Sequence, residues 1–210
     1  MLSRLVLIGD IHTEATRLRH VLAHAATSRP DAILSVGDIV DGPEDVAACI
    51  ALLRAHDVIA VRGNHERWLS AGTPLEPFTA DDDARAWIDA LPATRHLDTV
   101  AGPLLLGHGV GDHDMQRLYP DDSDYALASN FALEELLADG VYRWFVGGHT
   151  HVPMIRRFGP LTVLNPGTLC RRDQPGFLEV DLGAGRGRWY RVDAGGVTPE
   201  REVSLAVDFP

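Results

Sequence analysis

The chain has 210 residues, 45% of them hydrophobic and 23% charged, which suits one sizeable core and is unlike a disordered or low-complexity chain. Its formal net charge of −11 argues against a broad nucleic-acid-binding face, which needs a basic stripe. Two cysteines outside any Cys-x-x-Cys pair argue against a disulfide framework; Cys49 is expected in the core and Cys170 as a free thiol in a loop.

In chain order, Arg4 to Ile8 reads as a buried strand. Its apolar run is too short for a membrane span, and Gly9-Asp10 follows at once, unlike a signal peptide, so a soluble, cytoplasmic protein is expected. Residues 14–26 carry Leu18, Val21, Leu22 and Ala25 at helical spacing. Ala32 to Val36 is a second strand. Pro43, Glu44 and Asp45 suit a first helical turn, with Val46, Ile50 and Leu53 as the apolar face behind it. Val58 to Val61 is a third strand, and this alternation implies a parallel sheet. Residues 70–92 read as an insertion in which Asp81-Asp82-Asp83 precedes a helix with Ala84, Trp87, Ile88 and Leu91 on one side. Leu97 to Val100 and Leu104 to Leu106 are short strands, residues 109–129 a polar loop, 130–139 a helix and Trp144 to Val146 a strand.

After His151 the predicted elements are all strands: Ile155 to Phe158, Leu161 to Leu164, Phe177 to Val180, Trp189 to Val192, and an edge strand with Val203, Leu205 and Val207 alternating. They suggest a second sheet packed on the first. The expected fold class is α/β, a four-layer α/β/β/α sandwich of two mixed β-sheets. It forms a single domain over residues 1–210, with cap-like insertions near 70–92 and 109–129.

Five polar motifs interrupt this pattern: Gly9-Asp10-Ile11-His12, Gly37-Asp38-Ile39-Val40-Asp41-Gly42, Gly63-Asn64-His65-Glu66, Gly107-His108-Gly109 and Gly147-Gly148-His149-Thr150-His151. Each follows or closes an apolar run, at the sheet edge where α/β proteins gather ligands. Carboxylate, imidazole and carboxamide without thiolate make a mixed oxygen and nitrogen site, suited to Mn, Fe, Zn, Co or Ni. Asp10 and His12, like His149 and His151, are two residues apart, and in an extended chain would point to one side. A bridging position suits Asp38, whose two oxygens can each hold an ion.

These motifs, in this order over residues 5–151, resemble those of the calcineurin-like metallophosphoesterase superfamily. The later Asn165-Pro166-Gly167-Thr168 resembles a loop of its small prokaryotic members. The resemblance implies two divalent metal ions, with manganese favoured. One would take Asp10, His12, Asp38 and His151, the other Asp38, Asn64, His108 and His149. It further implies attack on phosphorus by a metal-bridging hydroxide, with His65 as general acid and Asp41 orienting it. Arg62 resembles a phosphate-gripping arginine of the phosphoprotein-phosphatase branch, but Gly42 stands where that branch has a second arginine.

The function expected is hydrolysis of a small phosphorylated molecule or nucleotide. The alternatives are a phosphodiesterase or dinucleoside polyphosphate hydrolase, a phosphoprotein phosphatase, a nuclease, and a non-catalytic protein-interaction scaffold. Arg171-Arg172 either reaches an anionic substrate or is a solvated pair, and His113 is a further substrate candidate. Trp68, Phe78, Trp87, Tyr119 and Tyr125 either stack on a base or pack a small cap. No heptad points to an oligomer.

Overall fold

The structure, a computed structural model, describes residues 1–205. Its strands are β1 (Arg4–Ile8), β2 (Ala32–Ser35), β3 (Ile59–Ala60), β4 (Arg95–Thr99), β5 (Gly102–Leu106), β6 (Trp144–Val146), β7 (Met154–Phe158), β8 (Leu161–Asn165), β9 (Gly176–Asp181), β10 (Arg186–Asp193) and β11 (Gly196–Ser204). The helices are α1 (Ala15–Ser28), α2 (Val46–Ala55), α3 (Asn64–Ser70), α4 (Asp82–Asp89), α5 (Asp124–Ala128) and α6 (Phe131–Asp139).

The strands form two mixed sheets. The first has the order β11-β10-β9-β1-β2-β3, with β1, β2 and β3 parallel and β9 antiparallel to β1. The second has the order β4-β5-β6-β8-β7, with β5, β6 and β8 parallel and a strand antiparallel at each edge.

Side-chain alternation along β1 shows how the layers form. Leu5 and Leu7 join Leu34, Leu104, Leu106, Val146, Leu164 and Leu178 in a cluster between the sheets. Val6 and Ile8 face the other way, onto Leu18 and Leu22 of α1 and Ile50 and Leu53 of α2. On the far side, Leu105 and Phe145 pack on Leu133 and Leu136 of α6. These clusters are the three interfaces of an α/β/β/α sandwich.

Four local expectations need correction. The strands after His151 do not make a sheet of their own: β7 and β8 extend the second sheet, and β9, β10 and β11 extend the first. Pro43 and Glu44 lie outside α2, which begins at Val46 with the Asp45 carboxylate accepting the Ala47 N–H at 2.9 Å. Asn64 does not merely follow β3 but opens α3, and the loop over 109–129 contains α5. The expected final edge strand is present as β11, which includes Val203, while Val207 lies outside the described residues. Among the described residues no helix is long and apolar enough to cross a membrane.

Candidate metal centre

Parallel strands from both sheets deliver the motifs to one edge. Asp10 follows β1, Asp38 follows β2, His108 follows β5, and His149 and His151 follow β6, while Asn64 and His65 open α3 behind β3. This is the carboxyl edge of each parallel set.

The backbone there is not extended. Positive φ occurs at His12 (45°), Asp38 (47°), Asp41 (58°), His149 (66°) and His151 (60°). Left-handed turns, rather than a strand's two-residue period, aim these side chains, and such conformations cost free energy that functional sites commonly store. The neighbouring chain segments also come very close. A Cβ at Gly148 would lie 2.7 Å from Asp10 Oδ2, so only glycine lets the backbone N–H of His149 reach the Asp10 oxygens at 3.1 and 3.2 Å.

Nine of the ten residues singled out in the sequence converge. His12, Asp10 and His151 form one group of potential ligand atoms; Asp38, His108 and His149 form a second; and His12, Asp38 and His65 form a third. His108 Nε2 stands 3.0 Å from Asn64 Oδ1 and 3.2 Å from Asp38 Oδ2. His65 Nδ1 lies 2.7 Å from Asp41 Oδ2, and its Nε2 lies 3.7 Å from Asp38 Oδ2. Arg62 is the exception. It is exposed, its backbone N–H is tied to Pro92 O at 2.9 Å, and its guanidinium takes no part in the contacts joining the other nine.

The ring nitrogens test whether the site suits metal. His12 Nδ1 faces Asp41 O at 3.1 Å, His108 Nδ1 faces Val36 O at 2.8 Å and His151 Nδ1 faces Asp173 Oδ2 at 2.7 Å. Each oxygen holds a proton on Nδ1, so that in the neutral ring the Nε2 lone pair faces inward, the tautomer a metal ligand needs. Yet His12 Nε2 and His151 Nε2 stand 3.2 Å apart. At that separation one shared cation, a proton or a metal ion, satisfies both nitrogens. His149 Nε2 is buried with no hydrogen-bond partner, a donor of the same kind left unsatisfied. The donor set therefore fits divalent metal.

Electrostatics agree. Burial alone would push Asp38 up, but His108, His65 and His12 outweigh it and hold its carboxyl well below the usual range. Asp10 is raised, by burial first and by the Asp38 charge as well, although its histidine neighbours oppose this. Burial and the positive His108 drive His149 down to about 4, keeping its ring neutral and able to coordinate. For His108, burial favours the neutral ring, yet Asp38 and Asp10 prevail and hold its imidazolium to about 10.

Three carboxylates that the sequence reading gave no role at the centre brace it. Glu66 is buried and accepts backbone N–H bonds from Asp38 (2.9 Å), Ile39 (2.7 Å), Val40 (3.1 Å) and Gly63 (2.7 Å). Its place in the first turn of α3 was a sequence signal for capping. Asp173 and the buried Glu14 carry no motif and no helical or strand period that would have marked them. Arg171 answers the question left open for the basic pair: it binds Glu14 through Nε and Nη2, each at 2.8 Å, and also Glu44, so its charge is committed within the protein. His113 turns to Glu135 at 3.2 Å. Of the five aromatic candidates, Trp68 stands beside the site, its ring 4.7 Å from that of His65; Phe78 and Trp87 pack on the first-sheet core, and Tyr125 is exposed.

Comparison with known proteins agrees with this geometry. Residues 4–184 match the family model described as the calcineurin-like phosphoesterase superfamily domain. A metallophosphoesterase from Sphaerobacter thermophilus shares the fold with a TM-score of 0.68 at 22% identity, over 92% of this chain and 89% of that one. YfcE, a phosphoesterase from E. coli, matches with a TM-score of 0.58 at 20% identity, over 97% of this chain and all (100%) of that one. Serine/threonine-protein phosphatase 1 of Salmonella typhimurium is 41% identical over 61 residues; that stretch is 29% of this chain and spans only 28% of the relative's length.

Proposed function

The chain belongs to the calcineurin-like phosphoesterase superfamily, and we propose that it hydrolyses phosphate esters of a small molecule or nucleotide at a two-metal centre. The observation that carries this is the pair of ring nitrogens, His12 Nε2 and His151 Nε2, 3.2 Å apart with both Nδ1 atoms already engaged. One ion would be held by Asp10, His12, Asp38 and His151, the other by Asp38, Asn64, His108 and His149. When bound, divalent ions polarise phosphoryl oxygens and make water a nucleophile at neutral pH; manganese is our first choice among Mn, Fe, Zn, Co and Ni.

The chain's own groups do the rest. His65 donates a proton from Nε2 to the leaving oxygen, and Asp41, 2.7 Å from Nδ1, orients its ring. Arg62, whose guanidinium has no partner to give up among the described residues, supplies two parallel N–H donors to a phosphate. Segments 70–92 and 109–129 act as caps beside the centre. The leaving group tests this assignment. Replacing His65 with Ala is expected to slow hydrolysis of an alkyl phosphate far more than that of para-nitrophenyl phosphate, whose leaving oxygen needs little protonation. Equal slowing of both would remove His65 from the acid role.

The Salmonella relative favours a second reading, a phosphoprotein phosphatase. Gly42 weighs against it. A Cβ there would lie 1.8 Å from His12 O, so no arginine fits at that position without moving the His12 turn.

A further inference from the structure

Among the candidate metal-ligand histidines whose Nδ1 is engaged, His151 differs from the other two. His12 and His108 face backbone carbonyls, whereas His151 faces the Asp173 carboxylate at 2.7 Å. A carboxylate on the outer nitrogen makes an imidazole a stronger ligand and fixes its ring. Asp173 lies on a part-exposed loop, with its side chain 41% exposed, so something must hold that loop in place.

Glu14 does so. Two residues before Asp173, Arg171 gives its backbone N–H and its Nε to Glu14 Oε1, each at 2.8 Å, and its Nη2 to Glu14 Oε2 at 2.8 Å. Glu14 is fully buried and also takes Arg17 Nη1 at 2.6 Å. Alongside, Leu169 N and Thr168 Oγ1 both donate to Asp10 O at 2.8 Å, stapling segment 168–171 to segment 10–14. Glu14 is itself two residues past His12. A closed ring results: His12 through the chain to Glu14, across to Arg171, through the chain to Asp173, across to His151, and back to His12 across 3.2 Å.

We infer that Asp173, anchored through Arg171 to Glu14, is a positioning residue that sets the strength of one metal position, the one built on His12 and His151, and not the other. This inference rests on the two-metal reading above. It gives the Glu14–Arg171 pair a purpose beyond local stability, because that pair ties the two imidazoles of a single ion to one rigid frame.

The test is calorimetric titration of Mn²⁺ into chelated protein, with thermal melting of each metal-free variant. Wild type is expected to take up two ions. Asp173→Ala is expected to weaken one binding event by about 10–100-fold and leave the other within about twofold. Its metal-free melting point is expected to stay unchanged, since the side chain is part-exposed. Asp173→Asn, which keeps an acceptor for Nδ1–H but not the charge, falls between the two. Arg171→Ala weakens the same event. Two wild-type binding events in Asp173→Ala, or equal weakening of both with a lowered melting point, would overturn the inference. A wild-type protein that takes up no Mn²⁺ would overturn the metal centre itself, and this inference with it.

Discussion

The Asp41 carboxylate stands 2.7 Å from His65 Nδ1 through Oδ2, which also accepts the backbone N–H of Leu75 (3.3 Å), while its Oδ1 accepts that of Glu76 (3.0 Å). The loop after α3 thus holds the group proposed to orient the acid. Asp41→Asn keeps a polar side chain but loses the charge that faces His65 Nδ1. Its kcat is expected to fall by about 10–100-fold, less than the 10²–10⁴-fold typical of losing a general acid outright, with metal content unchanged. Loss of metal in this variant would instead give Asp41 a role in holding the His12 turn, whose Nδ1 faces the Asp41 carbonyl.

Arg62→Ala tests phosphate binding. A charged hydrogen-bonding partner contributes about 1.5–3 kcal/mol, so kcat/KM is expected to drop about 10–100-fold. The loss should appear mainly in KM, because Arg62 touches none of the residues that bear the chemistry. An unchanged KM would exclude it from substrate contact.

Glu66 satisfies four buried backbone donors. Glu66→Ala strands them, and each unsatisfied buried group costs about 1–3 kcal/mol. A loss of at least about 3 kcal/mol in urea unfolding is expected, together with weaker metal uptake, since three of the donors set the Asp38 turn. A surface-like loss below about 0.5 kcal/mol would contradict this role.

Gly42→Ala places a Cβ where the His12 carbonyl lies, 1.8 Å away. The His12 turn must move, at about 1–3 kcal/mol for an overpacked site. Lower stability and lower metal affinity are expected together. A variant with both properties of wild type would show that the turn yields freely.

Metal uptake should depend on pH through His108. Without metal its imidazolium persists to about 10, against an ordinary 6.5, because Asp38 and Asp10 outweigh burial. The sign follows. This raised pKa stabilises the metal-free fold fully below about 6.5, and the contribution fades as pH rises through about 10. An ion that takes His108 Nε2 must displace its proton, so binding at pH 7.5 is expected to release at least one proton and to tighten as pH rises. Calorimetry in buffers of different ionisation enthalpy reads that number directly; no release would mean that His108 is neutral or is not a ligand.

Much of the centre was legible because its candidate ligands are chemically distinctive and sit beside glycines at strand ends. Asp10, Asp38, Asn64 and His108 could be placed from periodicity alone, since each follows an apolar run. How the ligands are aimed could not. His12, His149 and His151 point inward through left-handed turns, and a two-residue spacing read as extended chain gives convergence for the wrong reason. Asp173 and Glu14 were invisible because their partners, His151 and Arg171, are distant in sequence, and such contacts leave no local period. The allocation of the last strands also escaped the sequence. Apolar alternation in β7 and β9 looks alike, and only the pairing of β9 with β1 sends one strand to each sheet.

The most direct measurement of the central claim is hydrolysis of para-nitrophenyl phosphate and bis-para-nitrophenyl phosphate by chelated protein as Mn²⁺ is added back stepwise. Activity on at least one substrate is expected to be absent without metal and to rise to a plateau near two ions per chain. Asp38→Ala, which removes the carboxylate proposed to serve both ions, is expected to be inactive throughout. Full activity after chelation, or in Asp38→Ala, would contradict a two-metal phosphoesterase.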